Sequence, residues 1–315
     1  MKTIYVDDLT KITEPCVATI GFFDGVHRGH RFLIDHLVRT AREDGARAMV
    51  ITFDKHPREV LRSEYQPRLL STLDGKLTLL SKTDIDIVAV LHFDLKLAAL
   101  SAREFMRSML KERLNVRKLF IGYDHRFGHN REEGFSDYVR YGKELGMEVV
   151  RTPAFILNGV NVSSSVVRSF LQDGEVEMAA QCLGYPYTLL GMVEHGQQEG
   201  RKLGYPTANL DTSAYGQLIP APGVYAVKVR SSDQMTLYRG MMNIGTRPTF
   251  EGHGLTLEVH IFNFQGNLYG KELQVSFIHR IRSERKFTSP EALARQLEQD
   301  AKLVKEQFNK EIAHE

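Results

Sequence analysis

A chain of 315 residues is longer than one comfortable core and implies two domains. Its 42% apolar and 25% charged residues are ordinary for a globular fold, and 41 basic against 39 acidic residues leave a formal net charge of +2. That balance excludes the broad basic field that binding to nucleic acid or a membrane surface demands, so small molecules are the expected partners; no protein partner is inferable. Cys16 and Cys182 stand far apart in no metal or redox spacing, as small core hydrophobes of a reducing compartment do. The opening MKTIYVDDLT lacks a signal-type apolar run, and no window approaches about 18 uninterrupted apolar residues. The expected location is the cytoplasm.

Short apolar runs at 16–20, 48–53, 86–92, 118–122 and 147–150 read as buried strands. Segments of helical period lie between them at 29–43, 74–82, 102–112 and 135–145. Strands alternating with helices predict βαβ units and a parallel sheet, with ligands beyond the carboxyl ends of the strands. After about residue 184 the rhythm changes. Strand-like segments at 188–196, 224–230, 236–244, 255–262 and 273–281 are separated by turn residues, which predicts a closed antiparallel barrel. Ser289 as N-cap and Pro290 at the first helical position open a terminal helix. The composition break places the domains at 1–183 and 184–315.

The first strand runs into GFFDGVHRGH, where Gly21, Phe23, Asp24 and Gly25 precede His27, Gly29 and His30. His27 and His30 are three residues apart, so at a helix start they share one face. Glycines admit close backbone approach, and a helix N-terminus offers unpaired N–H groups to an anion. Two imidazoles beside such a cradle suit the triphosphate of ATP, where they can donate to oxygens that gain charge.

This block resembles the HxGH signature of the nucleotidylyltransferases, and in its longer form the prokaryotic FAD synthetase branch. Further matches follow in order. The stretch 52–57, TFDKHP, is similar to a TFxPHP turn and carries His56. The stretch 122–128, GYDHRFG, resembles GxDFRFG and carries Asp124, Arg126 and Phe127, with His125 where phenylalanine is usual. The resemblance implies that these residues face the flavin. The stretch 162–168, VSSSVVR, resembles ISSTRIR. Ser163, Ser164 and Ser165 can cap a helix and donate to phosphate. Val166 stands where the family often has arginine, so Arg168 alone carries over as the phosphate-binding cation.

The second half carries GRKLGYPTANL, from Gly200 through Lys202 and Gly204 to Thr207 and Asn209. It resembles the GRxLGxPTANL motif of riboflavin kinases, which implies that Thr207 and Asn209 hold Mg²⁺ and ATP phosphate, a hard cation suited to oxygen donors. Read alone, PTAN is a turn leading into a strand. Asn243 and Arg247 belong to a further matching block at 240–250, and Glu258 to the next strand. Alternation alone puts Glu258 with Thr256 and His260 on a solvent face; the resemblance makes it the base for an alcohol nucleophile.

Together these resemblances imply an α/β parallel-sheet, Rossmann-like nucleotidylyltransferase domain followed by an antiparallel β-barrel riboflavin kinase domain with a C-terminal helix. The implied reactions are riboflavin plus ATP to FMN, and FMN plus ATP to FAD. The phosphate of FMN is its own nucleophile, mostly dianionic with a second pKa of about 6, so adenylyl transfer requires positioning and no side-chain base. The neutral ribityl hydroxyl of riboflavin needs a proton acceptor.

Overall fold

The computed structural model describes residues 1–61, 68–123, 125–196, 199–202, 204–249 and 252–314. They pack as two units, the first Met1–Pro67 with Leu73–Ser163, the second Arg68–Thr72 with Ser164–Glu315.

The first unit is built on β1 (Lys2–Val6), β2 (Cys16–Ile20), β3 (Arg47–Phe53), β4 (Ile87–Leu91), β5 (Val116–Ile121) and β6 (Glu148–Arg151), in the order β1-β4-β3-β2-β5-β6. Every pair is parallel. Its helices are α1 (Arg28–Glu43), α2 (Pro57–Val60), α3 (Leu73–Leu80), α4 (Leu95–Ala98), α5 (Ala102–Phe105) and α6 (Phe135–Leu145), and α5 continues as a π-helix over Met106–Arg113. A short hairpin, β7 (Ile156–Leu157) with β8 (Val160–Asn161), closes the unit.

Alternate residues of β2 enter opposite cores, which is why the strand reads as an unbroken apolar run. Cys16, Ala18 and Ile20 pack with Phe105, Met106 and Leu110, whereas Val17 packs with Leu33, Ile34 and Leu37 of α1. Burial pushes the Cys16 thiol up to about 12, so it behaves as a small hydrophobe. The edge strand β1, absent from the sequence expectation, pairs only with β4 and leaves Tyr5 exposed, so it lacks the buried-strand signature. The chain builds outward from β2 through β3 to β4 on one side and through β5 to β6 on the other. The switch point between β2 and β5 is where a ligand crevice is expected.

The second unit opens with α7 (Ser164–Asp173) and α8 (Val176–Leu183), followed by β9 (Thr188–Glu194), α9 (Glu199–Lys202), β10 (Ala208–Asp211), β11 (Gly223–Ser231), β12 (Tyr238–Thr249), β13 (Gly252–Ile261), β14 (Glu272–Ser283) and α10 (Pro290–His314). The six strands close as an antiparallel barrel in the order β10-β13-β12-β11-β14-β9. The packing therefore divides at Ser164, earlier than the composition break at 184. The buried Val176, Ala179 and Leu183 of α8 belong to this unit, and the Glu177 carboxylate accepts from the Arg280 N–H of β14 at 3.0 Å. Arg68–Thr72 also belongs here: the Leu69 N–H donates to the Gly216 carbonyl (3.0 Å), and the Leu218 N–H donates to Leu69 O (2.8 Å).

Ser289 caps α10 as expected, its Oγ accepting from the Ala292 N–H at 3.2 Å. Ala301, Val304 and Phe308 lie against Ala226 and Met241 on the barrel's outer face. Beside them Arg282 of β14 forks onto the fully buried Asp300, Nε to Oδ1 at 3.0 Å and Nη2 to Oδ2 at 2.7 Å, and Gln296 Nε2 donates to Asp300 Oδ1 at 2.7 Å. Removing one partner strands a buried charge. Asp300→Ala is therefore expected to lower the unfolding free energy of this unit by about 3–5 kcal/mol in urea denaturation. A loss below about 1 kcal/mol, the scale of an exposed pair, would show that the clamp holds nothing.

Candidate active sites

At the carboxyl end of β2 the chain turns through Gly21–Val26 with three residues in the left-handed region: Phe23 (φ 55), Gly25 (φ 73) and Val26 (φ 37). For a β-branched valine that conformation is strained, and such strain persists only where the surroundings enforce it. Val26 and Phe23 are buried in the core against α1, which supplies the enforcement. The turn delivers His27 to the N-cap of α1, where its Nδ1 accepts from the His30 N–H at 3.2 Å. A neutral His27 ring consequently carries its proton on Nε2.

The His27 and His30 rings stack at 3.6 Å between centroids, 17° from parallel. Burial holds His30 well below the usual histidine range, helped by the neighbouring His27, His125 and Lys76. His30 is thus neutral at physiological pH. Its Nδ1 is buried and has no hydrogen-bond partner among the described residues, an arrangement that calls for a ligand. A neutral His30 imidazole suits donation to phosphate oxygens better than proton transfer.

Beside this loop lies a cavity of about 540 Å³ lined by Phe22, His56, Phe93, Arg126 and Phe127. His56 is the N-cap of α2 and packs edge-on against Phe22 at 4.7 Å. Phe127 stacks on Tyr138 at 4.3 Å, and the Tyr138 hydroxyl accepts from the Phe127 N–H at 3.0 Å. Three of the four residues expected to face the flavin are brought together here; Asp124 lies outside the described residues. Gly21, Phe23, Asp24, Gly25, Gly29 and Ser163 share the first unit with the histidines. Ser164, Ser165 and Arg168 belong to the second, where the buried Arg168 donates from Nε to the Arg68 carbonyl at 2.8 Å.

Lys76 was not foreseen from the sequence. It is 2% exposed on α3, and its Nζ donates to Phe22 O (3.0 Å), Thr52 Oγ1 (3.0 Å) and Phe53 O (2.9 Å) at the carboxyl ends of β2 and β3. One lysine in a helical segment carries no pattern that announces its burial.

In the second unit the register does what spacing could not. Asn209 pairs with Glu258, Glu258 with Asn243, Asn243 with Val224 and Val224 with Arg282, a single row across five strands. Laterally paired residues share a face, so all five point outward, toward α10. They line a cavity of about 240 Å³ that Leu293, Leu297 and Asp300 of α10 also wall. Glu258 is half-buried there instead of solvated, because α10 covers the face that alternation assigned to water. Thr207 Oγ1 donates to Glu258 Oε2 at 3.4 Å, and His260 Nδ1 lies 2.8 Å from the Pro206 carbonyl, fixing the segment that carries Thr207 and Asn209. Burial lowers His260 below the usual histidine value, so its ring is neutral. Gly200 lines the same cavity and Gly204 follows with φ +83, while the side chains of Lys202 and Arg247 lie outside the described residues.

Gly196 sets the place of Asn209. A Cβ at 196 would come within 2.0 Å of Asn209 Nδ2. Gly196→Ala must displace that side chain and is expected to cut turnover at this cavity by about 10²-fold, the scale of a misplaced reacting group. Steady-state phosphorylation of riboflavin, the reaction that the motif resemblance implies for Asn209, measures it, and an unchanged kcat would show that Asn209 plays no part.

Each unit thus carries its own cavity lined by polar side chains, an arrangement that fits a chain of two small-molecule enzymes. Comparison with known proteins sharpens it. The FAD synthetase family profile matches residues 9–166 and the riboflavin kinase profile residues 183–308. Bifunctional riboflavin kinase/FMN adenylyltransferases are 39% identical in Escherichia coli K12, over 94% of this chain and 93% of that protein, and 38% identical in Haemophilus influenzae, over 95% and 96%. The counterpart from Listeria monocytogenes is 36% identical over 98% of this chain and 99% of its own length. A solved structure described as a macrolide-efflux protein from Streptococcus pneumoniae has a TM-score of 0.86 at 31% identity, covering 96% of this chain and 98% of that one. Among the described residues of this chain no helix is long and apolar enough to cross a membrane. The chain belongs to the bifunctional riboflavin kinase/FMN adenylyltransferase family, transferases that convert riboflavin to FMN and FMN to FAD.

Proposed function

We propose that the two reactions are divided between the two units, adenylyl transfer at the His27–His30 loop and phosphoryl transfer at the cavity beside Glu258. The observation that carries this reading is that each unit has its own cavity, one lined by His56, Arg126 and Phe127, the other by Thr207, Asn209 and Glu258. The family matches at 9–166 and 183–308 support functional segments of 1–183 and 184–315.

In the first reaction a phosphate oxygen of FMN bonds to the α-phosphorus of ATP, the bond to the bridging oxygen breaks and pyrophosphate leaves. The nucleophile brings its own charge, so the chain's contribution is placement and stabilisation. His27 and His30 donate to the reacting phosphates. Gly21, Phe23, Asp24, Gly25 and Gly29 shape the cradle, and His56, Asp124, Arg126 and Phe127 serve the flavin. Ser163, Ser164, Ser165 and Arg168 are assigned to phosphate on the motif alone.

In the second reaction the ribityl 5′-hydroxyl oxygen bonds to the γ-phosphorus, ADP leaves, and a Glu258 carboxylate oxygen accepts the hydroxyl proton. Gly200, Lys202 and Gly204 approach the ATP phosphates, and Asn243 and Arg247 the flavin side. The Thr207 hydroxyl, the Asn209 carbonyl and the Glu258 carboxylate form an oxygen donor set that fits Mg²⁺; Thr207 and Asn209 would hold it, and bound there it would neutralise charge on ATP phosphate. A cytoplasmic location agrees with the buried free thiols and the metabolic substrates.

Two variants separate the halves. Incubated with riboflavin, ATP and Mg²⁺ and resolved by chromatography, His27→Ala is expected to accumulate FMN, with FAD formation lowered by about 10²–10³. Glu258→Gln is expected to lower riboflavin phosphorylation by about 10²–10⁴ and to leave adenylylation of supplied FMN intact. Full kinase turnover with unchanged pH dependence in the second variant would return Glu258 to a structural role.

A further inference from the structure

Lys76 poses a problem that packing does not solve. An apolar residue would fill its place on α3, and a buried ammonium without an ion-pair partner is costly. Its three donor contacts are two backbone carbonyls and one hydroxyl, and no described carboxylate lies within ion-pair distance. Three acceptors match the three N–H groups of an ammonium; a neutral amine has only two. The Thr52 hydroxyl in turn donates to Phe22 O at 3.1 Å, so two groups converge on the carbonyl at the root of the GFFDG turn. The same Nζ lies 4.1 Å from the centroid of the Phe22 ring, and that ring lines the 540 Å³ cavity beside His56.

We propose that Lys76 is a positioning residue for adenylyl transfer, its ammonium holding the Phe22 and Phe53 carbonyls and the Thr52 hydroxyl in place. The inference rests on the assignment of the His27–His30 loop to that reaction. The ion reaches no reacting atom itself. It ties the strand ends that carry the histidine loop to the cavity wall, so the phosphate donors and the flavin pocket keep one register.

The charged and titratable groups that couple to Lys76 are Asp24 in the turn after β2, Asp54 at the end of β3 and His30 on α1. Burial pulls the amine down to about 8, against the opposing pull of Asp24 and Asp54. In the unfolded chain a lysine titrates near 10.5. Between those values the unfolded state binds more protons, so this group's contribution to stability rises with pH. Its contribution to positioning falls over the same interval, because the third donor is lost. Activity and stability therefore move in opposite directions, which simple loosening of the fold does not produce.

The test uses the full chain with FMN, ATP and Mg²⁺, measuring kcat and KM for FAD formation from about pH 6.5 to 9.5 beside the thermal midpoint and riboflavin phosphorylation. The wild-type adenylylation kcat is expected to fall above about pH 8 and to level off near the value of Lys76→Met, with no matching fall in the midpoint. Lys76→Met is expected to lose about tenfold or more in that kcat at neutral pH, to lack the alkaline limb, and to keep riboflavin phosphorylation. Should Lys76→Met fail to fold, the wild-type pair of pH curves decides: an alkaline loss that tracks unfolding overturns the proposal. A folded Lys76→Met with wild-type kcat and limb overturns it as well. Normal FAD formation by His27→Ala removes the site assignment itself, whereas an impaired His27→Ala beside a wild-type-like Lys76→Met overturns only the role of Lys76.

Discussion

The parallel sheet commits both faces to apolar burial and the barrel commits its interior, and this confines polar chemistry to the strand ends of one and the outer face of the other. The parallel sheet is covered on either side by two separate cores, so polar groups find room only beyond the strand ends. The barrel is too small to enclose a ligand, because Val227, Met242, Leu257, Val259 and Phe277 fill its interior. Its site is therefore on the outer face, where α10 supplies the second wall. The clamp between Arg282 and Asp300 belongs to the same logic: it is the polar fastening that brings α10 over Glu258.

The two cavities differ in the polar groups they present. Around the histidine loop His30 is held neutral, and the buried Lys76 ammonium is engaged by uncharged oxygens. The barrel cavity instead presents the Glu258 carboxylate beside amide and hydroxyl oxygens. A neutral alcohol needs an acceptor there, and a metal ion needs donors.

Local features were legible in the residues. Continuous apolar runs announced β2 to β5, and the Ser289–Pro290 pair announced the start of α10. His27, Gly29 and His30 were recognisable because their chemistry depends on spacing along a single turn. The row from Asn209 to Arg282 was not, since its members are spread over five strands and meet only through register. Glu258 was misjudged by alternation for a related reason: period 2 separates two faces but does not say which is covered, and the cover is supplied by a helix some thirty residues on. Lys76 was invisible because its burial is decided by the strand ends above it.

The stretch Arg68–Thr72 has a consequence for how the chain is made. Its backbone partners lie around Gly216–Leu218, and the Leu70 carbonyl meets Gln217 across 147 residues of sequence. At roughly 5–20 residues per second of synthesis, that separation is a delay of roughly 7–30 s. During translation the strands flanking this stretch can already form parallel pairs while its own carbonyls and N–H groups still bind water. The second unit therefore cannot be completed from a contiguous nascent segment, however early its barrel begins to close. Completion of the second unit therefore waits on an element made within the first part of the chain, whichever of its strands pair earliest.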